Sequence, residues 1–461
     1  MSGLTAFAPP AVRGDFARRL LLIALPITLQ TIVFSSKGIV DAVMLGSQDG
    51  ADVAAIGIAS RATFVVTIFL IGLSTGAAQI GAQVWGSGAA GRETRLRQTV
   101  WLGWAASAVF GLVAFVAFFA FGEQVIGTST SSPVVIERGA EFLKIVSFTF
   151  LLFPYTSSLA AGLRVMHQPT ISMIYALVGV GLNVALNAVL IFGLLGAPAM
   201  GITGAAIGTL VSAVVETGLL WLHLRVRRHV LAAFPRAELR AVRRPEVGLL
   251  LRLSVPAALN STLWALGVFV FYAIVGGASV ESVTALAVLS PVESLSLAFT
   301  LGLANAAAVL VGGTLGARRP DDAYAQALGL IRVGVLVGAV TALVVWALKV
   351  PVLALFPGLS PASLDLTGTL YTLMAVSFVL KSVSMVMVLG VLRAGGEARF
   401  CLLLDVFAQW VVLLPLAAVL RFVVGVDPVW LYCLLLVEEA VRIAIAGRRI
   451  RSRKWLRSLV D

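Results

Sequence analysis

The sequence predicts an all-α polytopic membrane protein with twelve transmembrane helices, built as two parallel six-helix repeats around a central cleft. Three observations predict it. Of the 461 residues, 59% are hydrophobic and only 12% are charged, against ~25% charged in ordinary soluble domains. Apolar runs of the ~20 residues needed to cross ~30 Å of hydrocarbon recur twelve times. The chain also matches itself when its second half is laid on its first.

The apolar runs lie near 20–46, 52–85, 98–122, 140–163, 169–195, 201–224, 249–277, 282–315, 325–356, 364–392, 399–422 and 428–447. Several exceed the bilayer thickness, so tilts, kinks or extensions into water are expected. Threading them alternately puts most of the 34 Lys and Arg on one side, at Arg13–Arg19, Arg92–Arg97, Arg164, Arg225–Arg252, Arg318–Arg319, Arg393, Arg399 and Arg442–Arg457. The opposite loops hold none. This is the positive-inside pattern, and it predicts a cell (inner) membrane protein with both termini cytoplasmic. The net charge of +12 therefore reads as topology and anionic-lipid contact rather than nucleic-acid binding. No cleavable signal peptide is expected, because the first apolar run is too long and lacks a small-residue cleavage site. Cys401 and Cys433 imply no disulfide framework, and His167, His223 and His229 share no metal-ligand spacing.

The repeat fixes the organisation. Leu20-Leu21 overlays Leu250-Leu251, Pro26 overlays Pro256, and Gly46 overlays Gly276. The same register continues through Gly72-Leu73 on Gly302-Leu303, Ala77-Ala78 on Ala307-Ala308, Gly86 on Gly316 and Ser147-Phe148 on Ser377-Phe378. With an even number of helices per repeat, both halves cross the membrane in the same sense. The expected organisation is a cytoplasmic segment 1–19, an N-lobe 20–224 (helices one to six), a basic linker 225–248, a C-lobe 249–447 (helices seven to twelve) and a basic tail 448–461. Pro26 and Pro256 interrupt the backbone ladder of equivalent helices.

Polar residues inside the apolar runs are the candidate site. Lys37 and Asp41 stand four apart, on one helix face, at the end of the first run. A charged side chain deep in the bilayer costs ~2.5–3.5 kcal/mol even on the lenient insertion scale, so such residues face a bundle interior or a wet cavity. Asn183 and Asn187 repeat the four-residue spacing at similar outer-half depth in the fifth run. A carboxylate opposite two carboxamides suits a proton, a sodium ion or a cationic substrate. A structural Lys37–Asp41 pair, with the asparagines joining helices, accounts equally for these residue types. Secondary candidates are Arg61, Lys381, Asp405 and Glu293. Lys381 and Asp405 read as a structural ion pair, Glu438 and Arg442 as another, and Glu293 shows no partner in the sequence. Asp321-Asp322 reads as a turn. The glycine-rich stretches Gly72–Gln83 and Gly201–Thr209 read as close helix packing, not phosphate cradles, since no strand-to-helix turn with a following Lys-Ser/Thr is present.

Taken together, several stretches resemble the multidrug and toxic compound extrusion (MATE) transporters over the whole chain. They are V-D-A-V-M-L-G (Val40–Gly46), A-Q-V-W-G (Ala82–Gly86), L-R-V-M-H-Q-P (Leu163–Pro169), N-V-A-L-N-A-V-L-I-F-G (Asn183–Gly193), G-I-T-G-A-A-I-G-T (Gly201–Thr209) and L-R-A-G-G-E-A-R-F (Leu392–Phe400). The resemblance implies a secondary active antiporter that exports organic, cationic or amphiphilic compounds against inward H⁺ or Na⁺. In the family an acidic residue of the first helix, here Asp41, acts with asparagine or aspartate of the fifth, here Asn183 and Asn187. Acidic residues of sodium-coupled members would fall near Trp264 and Ser382, which favours H⁺ over Na⁺, with Na⁺ at Asp41 still open. The implied partners are a small-molecule substrate, the coupling ion and membrane lipids, for a monomer that needs no cofactor. A lipid-linked-precursor flippase of the same superfamily is the alternative, with Lys37, Arg61 and Lys381 as its basic residues. No clustered metal ligands or nucleophile–base pair points to an enzyme.

Overall fold

The structure, a computed structural model, describes residues 13–45, 50–234, 236–240 and 242–460, and leaves aside the side chains of residues 13–15, 37–39, 41–43, 45 and 238. Twelve long helical rods follow one another, and no strand occurs among the described residues. They are α1 (Arg13–Leu45), α2 (Gly50–Gly86), α3 (Arg92–Ala120), α4 (Pro133–Val146 then Thr149–Val165, bent by 46°), α5 (Pro169–Phe192) and α6 (Gly201–Val226). The second half repeats the series with α7 (Arg244–Gly276), α8 (Val280–Gly316), α9 (Pro320–Ala347), α10 (Pro361–Leu392), α11 (Ala398–Val424) and α12 (Pro428–Arg451). Ten are long and apolar enough to cross a membrane, eleven with the bent α4 counted as one span. The remaining rod, α12, carries Glu438, Glu439 and Arg442 within its apolar length.

Local sequence explains where the rods start. Pro133, Pro169, Pro320, Pro361 and Pro428 each stand in a first turn, where a missing N–H costs nothing. Ser279, Ser360 and Asp427 accept a backbone N–H two or three residues on, capping α8, α10 and α12. Asp321 and Asp322 are not a turn. They open α9, where carboxylates meet the positive end of the helix dipole. Rows such as Val109, Leu112, Val113 and Val116 on α3, and Val340, Leu343 and Val344 on α9, are exposed. Water would reject such faces and lipid accepts them.

Tertiary contacts divide the chain into two units. One comprises the described residues of Met1–Thr31 with Ala82–Ala89 and Leu259–Asp461, the other Ile32–Gly81 and Ala90–Ala258. Each unit thus holds most of one sequence half and the first part of a helix from the other, and the first unit also takes the end of α2. Small residues make this exchange possible. In one unit a Cβ on Gly72 of α2 would collide with Ala257 and Ala258 of α7. In the other a Cβ on Gly302 of α8 would collide with Ala24 and Thr28 of α1. In the register that lays Pro256 on Pro26, Gly302 and Thr28 are the equivalents of Gly72 and Ala258, so the two crossings are one packing solution used twice.

The segments read as linker and tail are packed. In 225–248, Leu231 is fully buried, and Phe234 meets Trp101 and Trp104 edge to face. In the tail, Trp455 is fully buried and donates its Nε1–H to Ile450 O at 3.2 Å. Gln83 of α2 donates to Ala394 O (2.9 Å) and Arg457 O (3.1 Å) and accepts from Leu459 N (2.7 Å). Arg449 and Arg457 pair with Glu397, and Arg453 pairs with Asp321.

Candidate functional site

The first-half candidates are positioned by α1, α5 and α6. Lys37 and Asp41 lie on the helical backbone of α1, and their side chains are outside the described residues. Asn183 and Asn187, one turn apart on α5, are both buried. Asn183 Nδ2 donates to Thr209 Oγ1 of α6 at 3.3 Å and to Asn187 Oδ1 at 3.5 Å, while its Oδ1 has no partner among the described residues. Gly208 of α6 makes room for the pair, since a Cβ there would collide with Asn187 Oδ1. The structure therefore brings Asn183 and Asn187 together and adds Thr209, which the sequence reading passed over. The signal was present, because Thr209 ends the small-residue run G-I-T-G-A-A-I-G-T. Arg61 is exposed on α2.

The second half holds a larger buried polar network, all within one unit. Lys381 of α10 donates to Glu293 Oε1 of α8 at 2.7 Å, and Tyr272 of α7 donates its hydroxyl to Glu293 Oε2. The expected Lys381–Asp405 pair is thus replaced by Lys381–Glu293. Asp405 turns instead to Arg442 of α12, with Nε at 3.1 Å, and to Asn260 of α7, whose Nδ2 donates at 2.7 Å. Arg442 also meets Glu438 at 2.5 Å, as the four-residue spacing predicts, and Glu439 at 3.2 Å. Ser384 of α10 donates to Glu439 Oε2, and Arg393 donates to Asn260 Oδ1 at 2.5 Å.

Two corrections follow from this geometry. Arg393, expected as a topological charge, is only 5% exposed and belongs to the network, whereas Arg442 makes the expected pair with Glu438 and adds Asp405 and Glu439. Glu293, solitary in the sequence, has both a cation and a phenol. Asn260, Tyr272, Ser384 and Glu439 were missed. An adjacent Glu438-Glu439 in an apolar helix was the available signal. Just past Asp405 and Ser384 the same helices contain π-helical turns, Phe407–Leu413 in α11 and Val386–Leu392 in α10. A π turn rotates the side chains that follow it and is common beside functional groups.

The MatE family model matches residues 26–189 and again 256–419, so the second match begins on Pro256, the repeat equivalent of Pro26. The chain is 23% identical over 459 residues to the uncharacterized transporter YisQ of Bacillus subtilis, covering 98% of this chain and 97% of that one. It is 27% identical over 414 residues to the probable multidrug resistance protein YoeA of the same organism, covering 87% and 86%. Among solved structures, a MOP superfamily transporter from Pyrococcus furiosus, described as having a binding pocket of reversed polarity, superposes with a TM-score of 0.85 at 17% identity, covering 98% and 99%. A multidrug resistance MATE family transporter in an outward-facing conformation gives 0.84 at 17% identity, covering 95% and 96%. Matched twice by one family model at the spacing of its own repeat, the chain belongs to the MatE family of membrane transporters.

Proposed function

We propose that the chain is a secondary active antiporter of the cell (inner) membrane, with both termini cytoplasmic. It exports organic cations or amphiphiles in exchange for an inward cation, H⁺ in preference to Na⁺, by alternating access of its two lobes. The observation that carries this reading is the family match on both halves, together with buried carboxamides on α5, one of which keeps an unpartnered oxygen among the described residues. Asp41 with Asn183 and Asn187 forms the coupling and binding site, with Lys37 one turn below Asp41. A carboxylate that gains and loses a proton can rearrange its bonds with neutral amides, which both donate and accept. The flippase alternative needs buried basic side chains free to meet pyrophosphate. Of its three basic residues, Lys381 is engaged by Glu293, which favours the exporter, Arg61 is exposed on α2, and the side chain of Lys37 is outside the described residues.

The test is efflux of a fluorescent organic cation from proteoliposomes, driven by a pH gradient alone and then by a sodium gradient alone. Flux driven by the pH gradient and lost in Asp41→Asn, with folding intact, is expected. Sodium-driven flux would overturn the choice of ion, and flux surviving the substitution would overturn the site. No flux with any cation would bring the flippase forward.

A further inference from the structure

The tail after α12 is received by a turn that the first half builds differently. In the register that lays Leu392-Arg393 on Leu163-Arg164, Gly395, Gly396 and Glu397 stand where the first half has Met166, His167 and Gln168. Gly396 is left-handed, with φ 78°, but the turn does not need glycine for that, since His167 holds φ 61° at the equivalent place. Space is what the glycines supply. A Cβ on Gly395 would collide with the backbone oxygen of Trp455, and one on Gly396 with the side chain of Leu459. Glu397 then accepts from Arg449, Nε at 3.2 Å and Nη2 at 2.8 Å, and pairs with Arg457 at 3.6 Å. The turn is shaped and charged for the tail.

The Gly86 end of α2 meets the same tail. α2 is divided between the two units at Gly81 and Ala82, and its last residues belong with Leu259–Asp461. There it crosses α8 backbone against backbone: a Cβ on Gly86 would collide with Gly313, and one on Gly316 with Gln83 O. Gly316 and Gly313 are the repeat equivalents of Gly86 and Gln83, so the crossing is symmetric except at Gln83, which carries a side chain. That fully buried amide reaches the tail. It donates to Arg457 O at 3.1 Å and accepts from Leu459 N at 2.7 Å, besides its bond to Ala394 O.

The tail is held unevenly along its length. Trp455 is fully buried, and Arg449 grips Glu397 through two nitrogens. Beyond Trp455 the hold is lighter. Arg457 is 59% exposed at 3.6 Å from Glu397, and an exposed pair of this kind contributes little. The two bonds to Gln83 are amide–backbone bonds of modest net strength. Residues 457–460 can therefore leave while Trp455 stays seated.

We propose that residues 457–460 are a latch on the end of α2, seated on Gln83 and hinged at Trp455, which opens and closes in each transport cycle. Alternating access moves one lobe against the other. A helix divided between two units follows such movement only if its fastened end bends or is let go. With the latch off, the Gln83 amide keeps one of its three bonds, and the glycine crossing loses that fastening to the tail. The part in the cycle rests on the exporter reading, while the opening of the latch does not.

Two measurements on the full-length protein test it. Amide exchange reads the opening without substrate. Residues 457–460 should exchange well before 448–455, and Gln83→Leu should speed the former roughly tenfold while leaving the latter unchanged. Equal protection of the two stretches would overturn the latch. In proteoliposomes, Gln83→Cys with Leu459→Cys, in a background of Cys401→Ala and Cys433→Ala, is bridged by a short reducible bismethanethiosulfonate. Bridging should abolish gradient-driven flux of the fluorescent organic cation, and reduction should restore it. Flux indifferent to bridging would overturn the part in transport. Should the quadruple variant not fold, maleimide labelling of Leu459→Cys without the bridge partner carries the test. Its rate should rise during turnover, and a constant rate would overturn the proposal. Absence of flux in the unsubstituted protein overturns the exporter reading instead, and amide exchange then decides the latch.

Discussion

Replacing Lys381 by Met separates the ion pair seen in the structure from the one expected from sequence. Lys381 Nζ lies 2.7 Å from Glu293 Oε1, and the two side chains are only 11% and 13% exposed. Removing one partner of a buried pair leaves an uncompensated charge and costs ~3–5 kcal/mol. Glu293 keeps the Tyr272 hydroxyl as a donor, which places Lys381→Met near the lower end of that range. Adding Glu293→Gln removes the stranded charge, and the double variant should recover most of the loss, because replacing both members of a buried pair is often close to neutral. Asp405→Asn in place of Glu293→Gln should recover nothing, since Asp405 is held by Arg442 and Asn260. Equilibrium unfolding of the four proteins in mixed micelles reads the cycle. Rescue by Asp405→Asn rather than Glu293→Gln would refute the assigned pairing. A cost below ~1 kcal/mol for Lys381→Met would show that the pair is solvated, contrary to its burial.

Trp455→Ala should free the tail. Loss of a fully buried Trp costs ~3–5 kcal/mol, and residues 452–460 should become open to carboxypeptidase at a rate the unsubstituted protein does not show. Gly208→Ala should lower export with the protein still inserted, because its methyl drives into Asn187 Oδ1; overpacking of this kind costs ~1–3 kcal/mol, and unchanged flux would remove Asn187 from the binding site. His229, beyond the end of α6, is held neutral: burial first and then the charge of His223 lower its pKa, with Glu93 opposing. Its Nδ1 accepts from Leu231 N at 3.2 Å while Nε2 bonds Gln168 Oε1 at 3.1 Å, so protonation forfeits the Leu231 bond. A depressed folded-state pKa means stability is complete above the unfolded value of ~6.5 and is lost as pH falls through the folded one. Amide exchange of residues 226–234 should therefore accelerate on acidification, and His229→Gln should flatten that dependence.

The sequence by itself determined what depends on near neighbours in the chain. Hydropathy set the rods, because a backbone in lipid must satisfy its own hydrogen bonds, and prolines and capping residues set where they begin. The constant register between the halves determined the two-fold organisation and agrees with the double family match. The spacing of Glu438 and Arg442 determined their pairing, since residues four apart share a helix face. Tertiary structure alone decided which helix faces which. Lys381 could reach Asp405 or Glu293 from its position in the chain, and only the packing of α8 on α10 selects Glu293. Arg393 looks like an interfacial charge by position, and only its burial and its bond to Asn260 place it beside the carboxylates. The exchange of α1 and α7 between units was likewise invisible, although the glycines that permit it stood in the repeat. A small residue shows that a neighbour can come close, but which neighbour does so is a long-range fact.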